Sequence, residues 1–600
     1  MRARPLILSA AFLFGCTAYP DGSGETADSF APTSEADTGP SQESPPPQVE
    51  VTCAPSSTQV EVGEGNAETV QLTAEAADDE GPISTDGLQW RMASGPGSVS
   101  ASGLYTTAVD HGGLARIEAS LHDGSDLCEV EVRAHAELNP SGEAAAPGAF
   151  AAETPTVDDA CAASFVYPLD DAAMPGGFAP PRIQWDPAGS NLHKLVLSSE
   201  WTTLEIVTSE DHHEPSPAQW SGLTRFDPGT RVEMKLTSGT WSGAGFTGGT
   251  CTSSSPLEIE VTNEAMEGTI VYWALAGATG LTRSLSFHSA SAPTNETVSL
   301  PGSGCEGCHT VNLERPTRMT YGTDNAAVTH LVDLANPSTV LQSWGADMTG
   351  GTIGLERRDY GAPDPTGEYV LLSGFEIGLT GPVEDMVLFR QGSGAEVTTV
   401  STQRTATMPN WSPDGTRIVY AGCAGGGSAM HADDCSLYVQ TWDPASETFG
   451  GETRIAEPPA GHTLYYPSFS PDSEWVAFNQ AEMWTDGDDL VTSYANPRAK
   501  VMLVSASGGT PRFLAHANAT GDLTNSWPRW APDTGEHAWL AYSTERPYGH
   551  VVSGRAQLWV SAIDLDAAAA GSADPSRPPV WIPGQRTGDR NYTPTWLPRL

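Results

Sequence analysis

Four segments in the last third of this chain repeat one short pattern. They are "PNWSPDGTRIVYAG" from Pro409, "PSFSPDSEWVAFNQ" from Pro467, "PRWAPDTGEHAWLAYS" from Pro528 and "PTWLPRL" from Pro594, spaced by 58, 61 and 66 residues. A weaker copy, "APDPTGEYVLLSG", begins at Ala362, and a second strand-like stretch follows each full copy ("SLYVQTWD", "KVMLVSAS", "QLWVSAID"). Internal repetition constrains a fold more than any other feature, because one such unit cannot bury its apolar face alone and must stack on its neighbours. Pro-Asp-Gly and its variants make a tight turn: proline presets φ, and glycine accepts the reversed backbone. Two residues after the first proline stands a bulky ring in every copy, namely Trp411, Phe469, Trp530 and Trp596. Short strands with such plugs and no helical pattern between them predict blades around an axis.

The aromatic-Ser-Pro-Asp-Gly turn, intact in Trp411-Ser412-Pro413-Asp414-Gly415, resembles the TolB-like propeller repeat, which also forms the propellers of prolyl oligopeptidases. The resemblance is strong over 405–600 and weaker over 265–404. The copies at Phe469 and Trp530 lack the glycine at that place, and the one at Trp596 lacks the aspartate. The last copy supplies a single strand before the chain ends. Its expected partner is "GTIVYWAL…LTRSLSFH", so that 592–598 complete a blade begun at 268–288. With the Thr310–Ser343 hairpins and units near 360–400, 405–456, 462–515 and 522–584, the expected ring has six blades.

The N-terminal half reads differently. "MRARPLILSAAFLFGC" carries two arginines, a short apolar run and a terminal Cys16. That is the form of an export signal, too short for a permanent membrane helix. The ending resembles a bacterial lipobox, which implies lipidation at Cys16 and an outer-membrane lipoprotein of the cell envelope. Residues 1–16 are read as signal peptide. Residues 17–48, rich in Ser, Thr, Pro, Gly and acid, are read as a disordered stalk. Residues 49–136 hold short alternating strands bounded by turn clusters, the pattern of a β-sandwich. "GSVSASGLYTTAVDHGGLARIEASLHDG" resembles bacterial immunoglobulin-like repeats, mostly spacers. Residues 137–158 are expected to be a linker, and 159–264 a second sandwich of immunoglobulin or fibronectin type. The predicted fold class is therefore all-β: two sandwiches followed by a six-bladed propeller over 265–600.

The nine cysteines fit an oxidising compartment. With Cys16 set aside for lipid, position along the chain pairs Cys53 with Cys128, Cys161 with Cys251, and Cys423 with Cys435. Cys305 and Cys308 remain, within "GCEGCHT". This is C-x-x-C-H, in which two thiols can add to the vinyl groups of one haem and the histidine can ligate its iron. A covalent haem c on Cys305, Cys308 and His309 is therefore expected, with a plain disulfide or reduced pair and a metal site as the alternatives. Met319, Met348 and His330 are the nearby candidates for a sixth ligand. Glu210–Glu214, "EDHHE", is read as a solvated loop, not a metal site.

With 75 acidic against 29 basic residues and a net charge of −46, the surface repels nucleic acid and anionic lipid. Contact with a membrane is expected through the N-terminal lipid alone, and the protein is expected to be a monomer. No nucleophile elbow, metalloprotease helix or phosphate loop is present in the sequence, so no catalytic residue is assigned. The expectation is an envelope protein, not an enzyme, whose propeller binds a protein, peptide or glycan. An electron-transfer haem protein is the alternative, and a propeller enzyme such as a lyase the weaker one.

Overall fold

Each copy of the repeat builds the inner strands of an antiparallel sheet, and six such sheets follow one another around a ring. The computed structural model describes residues 49–598, apart from 64, 110, 225–228, 267, 278, 288–292, 302–306, 315–316, 323–326, 347–355, 377–385, 403, 425–431, 484, 487–488, 491–492 and 536. The signal, the stalk, Cys16, Cys305 and Met348 lie outside the described residues. Blades two to six start from the inner strands Gly307–Val311, Glu356–Pro363, Thr405–Trp411, His462–Phe469 and Ser526–Thr534. Blade one takes its inner strand from the chain's end. Arg590–Leu597 pairs antiparallel with Gly268–Ala276, setting Trp596 opposite Ile270 and Tyr592 opposite Trp273. Both ends of the propeller sequence thus share one sheet, which closes the ring and removes its free edges.

The repeat pattern is explained by hydrogen bonding at the turn. Ser412 Oγ accepts from Arg417 N at 2.9 Å and donates to Asp414 Oδ1 at 2.6 Å, while Gly415 adopts φ of 69°. Ser470 Oγ accepts from Trp475 N in the same way at 2.9 Å. There Ser473 takes the glycine's place with φ of 63°. In blade three Asp364 fills the serine's role and accepts from Tyr369 N at 2.6 Å; burial raises its carboxyl pKa, opposed by its hydrogen bonds. In blade two the role falls to Asn312, whose Oδ1 accepts from Arg318 N. The plugs tie blades together: Trp411 Nε1 donates to Ala362 O at 3.0 Å and Trp530 Nε1 to Ser468 O at 3.1 Å, each on the preceding blade.

The two sandwiches are joined more intimately than a linker would allow. Strand Gly124–Leu138 pairs with Gly113–Leu121 and Ser57–Gly63 of the first unit, then continues as a partner of Thr202–Ile206 in the second. One sheet of eleven strands runs through both. The segment 137–158, expected as a linker, holds a short helix and a two-residue strand. Helix Ala146–Ala152 buries Ala146 and Phe150 against Leu192, Val207 and Trp241, and Thr156–Val157 adds a strand beside Cys251. A composition rich in alanine and glycine reads as flexible, but two apolar side chains on one helical face suffice to pin it. Disulfides join Cys53–Cys128, Cys161–Cys251 and Cys423–Cys435.

The second sandwich is fused to the propeller through a common core containing Trp185, Met174 and Phe178 on one side and Trp539, Ile270 and Trp596 on the other. Phe178 stacks on Phe287 at 5.6 Å, and Tyr167 meets Tyr548 edge-on at 4.8 Å. Arg577 bridges to Asp171 and Glu260, both at 2.6 Å. His537 and then Arg577 hold the Glu260 carboxyl down at about 2.

Candidate functional site

The repeat itself builds the most distinctive cavity. In "PNW", "PSF", "PRW" and "PTW" the middle residue lies between the proline and the plug. These middle residues, Asn410, Ser468, Arg529 and Thr595, line a depression on the propeller axis, together with Thr310 of blade two. It is a funnel open to solvent and lined by residues of all six blades. Aromatic plugs and the prolines of the turns form its walls.

Three of these middle positions stitch neighbouring blades. Asn410 Oδ1 accepts from Phe469 N at 2.9 Å, Thr595 Oγ1 donates to His309 O at 3.2 Å, and Thr310 Oγ1 donates to Gly361 O. Arg529 does something different. Its Nη2 donates at 2.7 Å to the Tyr360 hydroxyl of blade three, the blade diametrically opposite. Nη1 donates to Pro528 O at 2.8 Å and Tyr466 O at 3.4 Å, and the guanidinium lies 5.3 Å over the Trp527 ring.

Below Arg529 the axis is plugged. Met408, Tyr466, Trp527 and Thr593 each stand immediately before the proline of their repeat and each has positive φ, between 51° and 58°. The inner strands carry register irregularities at these places. A bulge re-aims a side chain, and here three of the four meet. Tyr360, Met408, Tyr466 and Trp527 form one buried cluster, with the Tyr466 and Trp527 rings 3.9 Å apart. At the other end of the axis Tyr494 packs edge-on against Trp273 at 5.7 Å and Tyr592 at 5.4 Å. Among the described residues the funnel therefore opens at the turn face and is floored by aromatic rings.

The last three residues of the C-x-x-C-H, Gly307 to His309, belong to the inner strand of blade two. Counting four residues back from the turn residue Asn312 puts Cys308 at the register position of Met408 and Tyr466. His309 is fully buried, and its Nε2 lies 3.1 Å from Thr282 Oγ1 of blade one. The side chains of Cys305 and Cys308 lie outside the described residues, and no step is derived through haem. Of the proposed sixth ligands, Met319 is core, and His330 Nδ1 lies 2.8 Å from Ser343 Oγ.

Two other clusters are committed elsewhere. In "EDHHE", His212 Nδ1 lies 3.0 Å from Asp211 Oδ1 and Glu214 pairs with Arg182 at 2.8 Å. His135, Glu137 and Glu205 converge on the sandwich surface, but Lys194 already pairs with Glu205 at 2.6 Å.

The chemistry open to the funnel follows from its lining. Among the described lining residues there is one cation, Arg529, with hydroxyls, two amides, aromatic rings and prolines, and no carboxylate, imidazole, thiol or amine. A guanidinium stays protonated at any ordinary pH, so the site offers recognition groups and no general base. Sequence reasoning missed Arg529. The available signal was its place in the repeat, where the other three copies carry Asn, Ser and Thr.

No protein-family model matches the sequence, and no curated protein does. Solved structures that resemble the chain include TolB from Acinetobacter baumannii, at 13% identity over 72% of this chain and 99% of that one, with a TM-score of 0.36. Hydrazine synthase of Kuenenia stuttgartiensis matches at 14% identity over 49% of this chain and 76% of that one, with a TM-score of 0.30. An oligogalacturonate lyase in complex with manganese matches at 10% identity over 54% and 77%, with a TM-score of 0.31. The class to which the chain belongs is set by its own sheet order: an all-β protein with two sandwiches and a closed six-bladed propeller.

Proposed function

We propose that this is an exported, lipid-anchored binding protein of the cell envelope, whose propeller receives its ligand in the axial funnel at the turn face. One observation carries the reading: six blades converge on an open cavity that has recognition groups and no acid–base machinery among its described lining. Concave, mostly apolar cavities with a few convergent polar groups are the usual form of a binding site. The form of the N-terminal segment and Cys16 support the compartment, and the sandwiches resemble modules that serve as spacers.

The test is an occluding substitution at the rim. Leu313 lines the mouth and is half-buried, so Leu313→Trp fills space without removing a stitching hydrogen bond. Envelope extract is passed over wild type and over this variant, with folding checked by near-ultraviolet circular dichroism. A ligand held by wild type and lost on the folded variant supports the funnel. Equal retention by both overturns it.

A further inference from the structure

Arg529 is 4% exposed. Among the described residues no carboxylate pairs with it, and its Nε has no hydrogen-bond partner. This is unusual in a chain with 75 acidic residues, where most described arginines find one: Arg283 pairs with Asp589 and Arg417 with Glu474, for example. A buried charge lacking a counter-charge is costly. Burial alone does not make a site. Arg546 is also 4% exposed without an acidic partner, but it packs over Trp559 and donates to Ala517 O. What sets Arg529 apart is that it lines the open funnel, at the one middle position of the repeat where a cation replaces a small polar residue.

We infer that Arg529 receives the C-terminal carboxylate of an extended peptide that enters the funnel end-on; the inference rests on the funnel reading above and names its ligand. Three observations point the same way. The planar guanidinium fork matches a carboxylate, and its Nη2 is held 2.7 Å from the Tyr360 hydroxyl, which fixes the fork in place. The floor is closed by the Trp527, Tyr466 and Tyr360 rings, so a chain end reaches Arg529 and a mid-chain loop does not. The walls of proline and tryptophan suit an extended backbone, as in other aromatic-lined peptide grooves, while the middle-position hydroxyls and amide face its polar groups.

The experiment uses the full chain and three probes. The first is a pool of N-acetylated tetrapeptides free of Asp and Glu, with free C-termini. The second is the same pool amidated. The third is sodium acetate. Binding is read from tryptophan emission, since Trp411, Trp530 and Trp596 line the funnel. Wild type is expected to bind the free-acid pool saturably and the amidated pool roughly 10- to 100-fold more weakly, the weight of a charge-assisted hydrogen bond. Acetate should compete with the first pool. Arg529→Gln should erase the preference, and Arg529→Lys should restore part of it. The two pools compared on wild type need no variant to fold. Equal binding of both pools overturns the carboxylate inference, as does binding of acetate with neither pool. An envelope ligand that is lost on Leu313→Trp but unchanged by Arg529→Gln also overturns it and leaves the funnel reading standing.

Discussion

Removing the closing strand tests the ring most directly. Arg590–Leu597 is the inner strand of blade one, and within it Tyr592, Trp596 and Leu597 are almost fully buried, with Asn591 also buried. Trp596 packs in the core shared with the second sandwich and stacks on Phe287 at 6.2 Å. Trp596→Ala alone should cost about 3–5 kcal/mol, the usual range for truncating a large buried ring. With an unfolding entropy of about 2.1 cal/mol/K per residue, a ring of roughly 330 residues has about 0.7 kcal/mol/K. The expected fall in Tm is therefore about 4–7 °C. Deleting 590–600 also removes Tyr592 and Leu597 and exposes the ladder edge of Gly268–Ala276. The cost rises to about 8–12 kcal/mol by the same scale, and Tm should fall by more than about 10 °C. Near-ultraviolet circular dichroism melts of the three proteins give the answer. A truncated chain that melts with wild type would refute closure by the terminal strand.

The other predictions concern the interface, the cysteines and the opening strand of blade two. Glu260 has its pKa lowered from 4.5 to about 2, so its stabilisation is complete above about 4.5 and is lost as pH falls toward 2. After discounting for solvent screening this amounts to about 1–2 kcal/mol. Chemical denaturation should show wild type losing that much more than Glu260→Gln between pH 5 and 2, and parallel losses would contradict it. Opening Cys161–Cys251, which spans 90 residues, should destabilise by about 4–5 kcal/mol, against about 3 for Cys423–Cys435, which spans 12. Guanidinium melts of the paired Cys→Ala variants check this, and a reversed order would count against it. Intact-mass analysis of protein matured beside c-type assembly machinery decides the C-x-x-C-H: the expected covalent haem adds its mass at Cys305 and Cys308, and a loss of two hydrogens alone marks a plain disulfide. A covalent adduct would mean that His309 leaves its place against Thr282.

The propeller was legible because its physics is local. A serine or aspartate that accepts the amide five residues on, and a ring that fills the gap between blades, recur at fixed offsets, so four copies announce one unit. Blade two was legible from the Thr310–Ser343 hairpins, but its turn carries a substitution. Asn312 does the work of Ser412, and "NLERPTR" carries no Ser-Pro-Asp-Gly to reveal it. The fused sandwiches were illegible for another reason. Strand Gly124–Leu138 alternates buried and exposed residues throughout its first part in the same manner whichever strand it pairs with, and alternation reports a buried face, not the identity of the partner.

Arg529 shows where a repeat can be read for function. In a ring of similar units most positions answer to packing, and a residue that departs from its equivalents answers to something else. Asn410, Ser468 and Thr595 are small and uncharged, and two of them hold adjacent blades together. Arg529 spends its donors otherwise, on Tyr360 across the axis and on backbone carbonyls beneath it. Those contacts orient the guanidinium without neutralising it, because a hydroxyl and two carbonyls carry no net charge. Fixing the cation on a floor of packed rings removes most of the rotamer freedom that a ligand would otherwise have to quench. The same plug of Tyr466 and Trp527 that closes the axis also lowers the local dielectric, which strengthens any charge pair formed above it. Blockage of the axis and preorganisation of the arginine thus follow from one feature, the bulged residue before the proline.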